Sequence, residues 1–222
     1  MKPVSRNGLQ IPQLPKRLRA AGLQTLDDHA EYAGLAISGG DLTGQAAQGV
    51  LFEQDRLQHV VFARTRLPKL RLVDTRLDAC DLAAADWDKA HIRRAEFIGC
   101  RLLGSSLIEA RIEDGLFQDC NAQGALFASA TFKAARFQGC TLRAASFAQA
   151  DLTGVVFRQC DLSQADFRGA TLKGADLRGS ILEGLLVSPH DLRGVIIEPV
   201  QAVHIAGLLG LIVQDMDEAQ PA

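Results

Sequence analysis

Large apolar residues recur at every fifth position along most of the chain. From Leu42 to Leu192, 29 of the 31 residues in this phase are Leu, Ile, Val, Phe or Trp, and all 10 Phe of the protein fall in it. We call this position i. A period of five matches neither a 3.6-residue helix nor an uninterrupted strand. It predicts short extended segments that are separated by corners.

The neighbours of position i complete the pattern. From Cys80 to Ser180, position i−2 holds only Ala, Cys, Ser, Gly and Val, whereas i−1 is mostly polar, as at Asp81 and Asp151. Because side chains alternate along an extended segment, i−2 and i share one face and i−1 takes the other. We expect i−2 and i to point inward. Of the 20 Gly, 14 lie at i+2, where a turn must follow each segment.

The cysteines predict how many segments close one coil. There are five of them, spaced 20 residues apart, which matches neither a zinc site nor a redox motif. If four pentads close a coil, residues 20 apart stack into internal ladders, and the thiols become buried and inert. Coils about 4.8 Å apart would then build a square solenoid of about eight coils. The predicted ladders include Cys80, Cys100, Cys120, Cys140 and Cys160, and also Phe97, Phe117, Phe137 and Phe157.

Several pentads resemble a known repeat. Residues 150–154 (ADLTG), 165–169 (ADFRG) and 175–179 (ADLRG) are similar to the A(D/N)LXX motif of the pentapeptide repeat proteins. The resemblance covers roughly residues 30–198. It implies an all-β fold, a right-handed quadrilateral parallel β-helix. We expect an N-terminal cap segment over 1–29, the β-helix over 30–198, a capping and dimerisation helix and strand over 199–214, and an acidic tail over 215–222.

Both ends of the repeat carry helix signals. Pro15 and Gly22 suit the first turn and the residue past the end of a short N-terminal helix. Pro199 and Gly210 suit the same two positions in the C-terminal segment.

The C-terminal helix is expected to be apolar on two opposite sides, so two surfaces must cover it. One is the open end of the solenoid, and the other is a second chain, with a monomeric cap as the alternative. Residues 191–213 also resemble the end of the quinolone-resistance members of the family, which implies a head-to-head dimer. The predicted dimer residues are Val200, Val203, Ile205, Leu208, Leu209, Leu211 and Val213.

The same resemblance implies binding to DNA gyrase by imitation of duplex DNA. A duplex mimic needs a regular acidic face. The outward positions of the four faces carry net charges of −1, 0, +1 and 0, and the acidic cluster Asp215, Asp217 and Glu218 lies in the tail. We therefore favour a non-catalytic scaffold that binds an unknown protein partner through its outer faces. A gyrase-binding protein that protects against topoisomerase poisons is the alternative.

Direct nucleic-acid binding is not expected. The net charge is −2, and exposed aromatic residues for base stacking are missing from the outward positions. One face does carry several cations, but acids are interleaved with them, and such a mixed strip favours a solvated surface. Its members are Arg71, His91, Arg93, Arg94 and Arg111, with Asp74, Glu113 and Asp114.

Apolar residues at outward positions point weakly to a partner surface. Ile98 with Leu116, and Ile108 with Leu126, each fall on one face in adjacent coils.

No enzyme, cofactor or metal site is expected, because a filled solenoid offers no cleft and the sequence holds no phosphate-binding loop or triad. The N-terminus is not followed by an apolar signal segment, and the longest apolar stretch, residues 206–213, is far too short to span a bilayer. A cytoplasmic protein without membrane contact follows as the expectation.

Overall fold

A computed structural model describes residues 5, 6 and 8–214 of the chain. Its architecture is the predicted parallel β-solenoid with a short C-terminal helix. Short strands alternate with turns along the chain, and three strands of eight residues run through a corner without a break. The elements are β1 Ser5–Arg6, β2 Leu9–Gln10, β3 Arg19–Ala21, β4 Glu31–Ala33, β5 Leu35–Ser38, β6 Leu51–Glu53, β7 Arg56–Gln58, β8 Arg71–Asp78, β9 His91–Ile98, β10 Arg111–Gln118, β11 Thr131–Lys133, β12 Arg136–Gln138, β13 Val156–Arg158 and α1 Pro199–Leu208.

Residues 20 positions apart pair in parallel from coil to coil, as the cysteine spacing predicts. In β8, β9 and β10 the register runs Arg71↔His91↔Arg111 and Leu77↔Phe97↔Phe117. One such ladder climbs in steps of 20 residues from Ala36 to Ile196, in agreement with about eight coils.

At the corners, the residue at i+2 adopts the left-handed backbone conformation, with positive φ, whether or not it is Gly. Among the described residues, 19 other than Gly have positive φ, and 18 of them, all but His29, lie between Gln54 and Gln164 at this position, including Ala134 and Ala144 at φ 52°. The many Gly at i+2 follow from this geometry, because a residue without Cβ adopts it at no steric cost.

The predicted internal ladders are confirmed. All five cysteines are buried and free. Phe97, Phe117, Phe137 and Phe157 stack with ring centroids 4.7, 4.6 and 5.0 Å apart and nearly parallel planes. Phe127, Phe147 and Phe167 form a second stack at 5.0 Å, edge-on to the first. Aromatic rings therefore fill the centre of the tube over these coils.

Inward polar residues occur near the N-terminal end. Asp55, at i−2, is fully buried, and one of its carboxylate oxygens accepts the Leu35 N–H at 2.7 Å. The other oxygen, Oδ2, has no hydrogen-bond partner among the described residues. Burial raises the pKa of Asp55 to about 6.

The helix predicted near Pro15 and Gly22 is wrong. Residues 19–21 form β3, which pairs in parallel with β5, and Arg19 N–H donates to Gly34 O at 2.9 Å. The offset here is Arg19↔Leu35, so this first rung is 4 residues shorter than the others. The backbone groups of β5 would otherwise form an open sheet edge, and β3 satisfies them in place of a helix.

At the other end, α1 confirms the predicted helix. Pro199 lies in its first turn, and Gly210 follows its end with φ +78°. The strand that we expected to follow within 199–214 is wrong, since residues 211–214 form no regular element and pair with no described strand. The acidic tail with Asp215, Asp217 and Glu218 lies outside the described residues.

Candidate functional site

The interior of the solenoid offers no reactive centre among the described residues. The Cys80 thiol donates to Leu57 O at 3.6 Å, and each of the other cysteines donates to a neighbouring backbone carbonyl. Hydrogen bonding to Cys100 and burial both raise the pKa of Cys80, which keeps this thiol protonated. No group of three or more His, Cys, Asp or Glu side chains in the described part of the chain is placed to hold a metal ion. No described helix is long and apolar enough to cross a bilayer.

Most of the exposed large apolar residues in the described part of the chain lie at the C-terminal end of the rod. Ile212 is 85% exposed, Val200 70% and Leu211 61%. We call the exposed apolar residues of the last coil, of α1 and of residues 209–213 the C-terminal patch. Its members are Ile181, Leu186, Ile196, Val200, Val203, Leu208, Leu209, Leu211, Ile212 and Val213. A cluster of exposed apolar residues at one end of a rod marks an interaction surface.

The outer faces of the last coil contribute to this patch through a change at position i−1. In the coil before it, i−1 holds Asp161, Asp166 and Asp176. One coil later the stacked partners are Ile181, Leu186 and Ile196, all exposed by 43% or more. The sequence shows this switch from acidic to apolar residues, but the sequence interpretation missed it because it sought apolar outward residues in the middle coils and in the C-terminal segment, not in the last coil.

A polar residue anchors α1 across the open end of the solenoid. The buried Gln201 side chain donates to Leu177 O at 2.8 Å and to Ser180 O at 2.7 Å, and it accepts the Glu198 N–H at 3.0 Å. Ser180 O thereby gains the donor that a next coil would have supplied, as Ile181 N–H supplies Cys160 O one coil earlier, whereas Leu177 O also accepts the Ser180 N–H at 3.2 Å. Gln201 therefore decides which side of the helix faces the solenoid.

This anchoring separates the predicted dimer residues into two groups. Ile205 lies on the same side as Gln201 and packs, half-buried, against the core, so its assignment to a second chain is corrected. The other predicted residues, Val200, Val203, Leu208, Leu209, Leu211 and Val213, all lie exposed in the C-terminal patch.

The N-terminal segment, residues 8–18, forms an arm that lies on the outside of the solenoid. Gln10 N–H donates to Asp114 at 3.0 Å, and Gln13 N–H donates to Asp74 at 2.9 Å. Leu9, which belongs to the arm, is itself buried. The arm spans two coils, since Asp74 and Asp114 lie 40 residues apart in the 20-residue register. The sequence interpretation missed this contact because nothing local predicts it.

The arm also buries charge. Asp74 is paired with Arg94 through two short hydrogen bonds of 2.5 and 2.6 Å. Burial opposes ionisation of Asp74, but the bonds from Arg94 and from the backbone of Gln13 hold its pKa below the ordinary value. The carboxylate stays ionised and committed to these partners.

The predicted partner pairs do not form one exposed surface. Leu116 is half-buried and lines a cavity of about 130 Å³ beneath the arm, together with Leu9 and Ile11. Ile98 and Ile108 are half-buried, whereas Leu126 is 39% exposed. Only Leu126 is therefore an exposed large apolar residue of the kind that the prediction required.

Comparisons with known proteins agree with this architecture. A family model described as a pentapeptide repeat region matches residues 74–147, and a model of pentapeptide repeats in 8 copies matches residues 145–184. None of the curated protein sequences compared with the chain matches it.

Two solved structures share the fold. HetL, a pentapeptide repeat protein involved in heterocyst differentiation regulation from the cyanobacterium Nostoc sp. strain PCC 7120, is 21% identical, with a TM-score of 0.53 over 82% of this chain and 89% of HetL. Full-length QnrB1, a plasmid-mediated fluoroquinolone resistance protein, is 18% identical, with a TM-score of 0.54 over 87% of this chain and 100% of QnrB1. At these identities the likeness concerns the fold alone.

Proposed function

Because this chain belongs to the pentapeptide repeat family, we propose that it is a non-catalytic scaffold that binds a protein partner through its outer faces. We propose further that two copies associate through the C-terminal patch. In the described residues the tube is filled by side chains, so the outer faces and the ends are the surfaces that remain for function.

The observation that carries the proposal is the C-terminal patch. Elsewhere on the rod, large apolar residues at outward positions are mostly half-buried, whereas the exposed ones cluster in the last coil, α1 and residues 209–213. A second copy of the same end, related by a two-fold axis, would cover the same residues on both chains. Burial of each such side chain contributes on the order of 1 to 2 kcal/mol.

The test is the mass of the protein in solution. Sedimentation equilibrium at about 10 μM should give a dimer for the unchanged chain and a monomer for the double variant Val200→Asp/Ile212→Asp, because four buried carboxylates would face one another without partners. Leu126→Asp is the matched control, since it removes an exposed apolar residue outside the patch and should remain dimeric. A monomeric unchanged chain would refute the self-association, and so would a dimer of the double variant.

A gyrase-binding role is the second candidate, and the fold that the chain shares with QnrB1 is the observation that favours it. Duplex mimicry requires a continuous acidic face, and the cations Arg71, Arg93 and Arg111 interrupt one of the faces here. A supercoiling assay with DNA gyrase, with and without a fluoroquinolone, tests this role. Unchanged supercoiling and unchanged drug-induced cleavage at several micromolar protein would exclude it.

A further inference from the structure

A column of basic residues runs along one face of the solenoid in the coils of β8, β9 and β10. Arg71, His91 and Arg111 are direct neighbours in the parallel register, and Arg93 lies on the same face. Lys69 and Lys89 precede the column at the adjoining corner. All six side chains belong to exposed residues. We call them the cationic strip.

Two acids near the strip are already committed to other partners. Asp74 holds Arg94 and the backbone of Gln13, and Asp114 accepts the N–H of Gln10. Neither acid therefore forms an ion pair with Arg71, Arg93 or Arg111.

Two further acids near the strip bind lysines. Glu113 pairs with Lys133 at 2.7 Å, and Glu109 pairs with Lys89 at 3.5 Å. Lys69, Arg71, Arg93 and Arg111 have no ion pair within the described part of the chain. Acids share this face, among them Glu53 in the column of Val73 and Arg93, but these four cations have no described carboxylate within ion-pair distance.

The strip lines an open groove. Its volume is about 440 Å³, and the outward side chains of Val73 and Thr131 contribute to its lining between the charged residues. Stacked coils lie about 4.8 Å apart, so Arg71 and Arg111 are roughly 10 Å from each other along the rod. Like charges held at this spacing create a local positive field that an anionic partner would neutralise.

From this arrangement we propose that the cationic strip binds an extended, acidic segment of a partner protein; the proposal rests on the protein-binding function proposed above. Carboxylates two residues apart in an extended segment lie on the same face and are spaced about 7 Å. The long, exposed side chains of Arg71 and Arg111 can reach carboxylates at this spacing, with the aliphatic parts of the segment over Val73.

The N-terminal arm shows that an extended segment can lie along the rod axis on this solenoid. Gln10 and Gln13, three residues apart, contact Asp114 and Asp74, which are two coils apart. The arm and the proposed segment would run side by side, the arm over Asp74 and Asp114 and the segment over the cationic strip.

The residues around the strip favour a protein over a nucleic acid. All ten Phe and Trp87 are buried, and the half-buried Tyr32 donates its hydroxyl to Thr25 O at 3.2 Å. The described part of the chain therefore presents no aromatic platform for stacking bases. Overall the chain carries a net charge of −2, so binding of an anion depends on the local field of the strip.

The probe is a fluorescein-labelled peptide of ten glutamates, followed by fluorescence anisotropy. We expect binding that weakens steadily from 50 to 300 mM salt. The double variant Arg71→Glu/Arg111→Glu should weaken it at least tenfold. The matched control Lys173→Glu/Arg193→Glu makes the same charge change on the same face, about four coils further along, and should weaken it less than threefold.

Two results would overturn the proposal. In the first, both double variants bind the peptide equally well. In the second, a 20-base-pair DNA duplex binds more tightly than the peptide and loses its affinity in Arg71→Glu/Arg111→Glu, which assigns the strip to nucleic acid. The assay is repeated with the Val200→Asp/Ile212→Asp variant. If this variant still binds the peptide, the strip functions without the dimer. The two proposals can then fail independently of each other.

Discussion

Replacement of Asp55 by asparagine should increase stability at neutral pH and remove a pH dependence from the protein. Asp55 is fully buried, and burial raises its pKa from 3.8 to about 6. The protonated form is favoured in the folded state, so its contribution to stability is fully present below pH 3.8 and is lost as the pH rises through about 6. A shift of this size corresponds to roughly 2 to 3 kcal/mol between pH 4 and pH 8.

The asparagine side chain in the Asp55→Asn variant keeps an oxygen that can accept the Leu35 N–H but carries no charge at any pH. Urea unfolding at pH 4, 5, 6, 7 and 8 should show that the advantage of Asp55→Asn over the unchanged chain grows by roughly 2 to 3 kcal/mol across this range. Asp176→Asn is the control with the opposite sign, because the bond from Arg178 lowers the pKa of Asp176 and its charge stabilises the fold above pH 4. If Asp55→Asn and the unchanged chain gave parallel stability curves, burial of an ionisable Asp55 would be refuted.

Three further predictions concern the ladders, the corners and the cap. Phe137→Asp should abolish folding, because the Phe137 ring is fully buried between stacked rings. The free energy of unfolding of the neighbouring outward variant Gln138→Asp should lie within about 0.5 kcal/mol of that of the unchanged chain. Equal melting temperatures of the two variants would contradict the register. Ala144→Gly should stabilise the fold by roughly 0.5 to 1 kcal/mol, because Gly adopts φ 52° without steric strain, and Gly154→Ala should destabilise the fold by about 1 kcal/mol. Thermal unfolding measures both changes, and the reverse order of stability would contradict the corner geometry. Gln201→Ala should speed hydrogen exchange across α1 at least tenfold, since Ser180 O loses its donor and Leu177 O keeps only the Ser180 N–H, while Ala202→Ser on the exposed side should not.

The sequence was sufficient to predict the core because every coil repeats the same local rule. Phe97, Phe117, Phe137 and Phe157 occupy one phase, and a single coil length stacks all of them. Left-handed corners follow from the same periodicity, although residues such as Ala134 show that the fold imposes the corner even without Gly.

The ends could not be predicted in the same way, because there the period stops. Arg19 pairs with Leu35 across a shortened coil, which turns an expected helix into a strand. The side of α1 that faces the solenoid depends on the bonds of Gln201, so a helical projection alone placed Ile205 on the wrong surface.

The candidate binding surfaces depend on contacts between distant residues. The hydrogen bond from Gln10 to Asp114 joins positions 104 apart, and the bond from Gln13 to Asp74 joins positions 61 apart. Neither contact leaves a local signal in the sequence. Together they dock the N-terminal arm beside this face and engage Asp114 and Asp74, neither of which forms an ion pair with Arg71 or Arg111.

The central claim is that the C-terminal patch joins two rods end to end. Small-angle X-ray scattering of the unchanged chain measures mass and maximum dimension in one experiment. Our account predicts twice the mass of the 23.9 kDa chain and a maximum dimension about double that of a single rod, whose eight or so coils extend roughly 40 Å. A mass of one chain, or a dimer no longer than one rod, would contradict it.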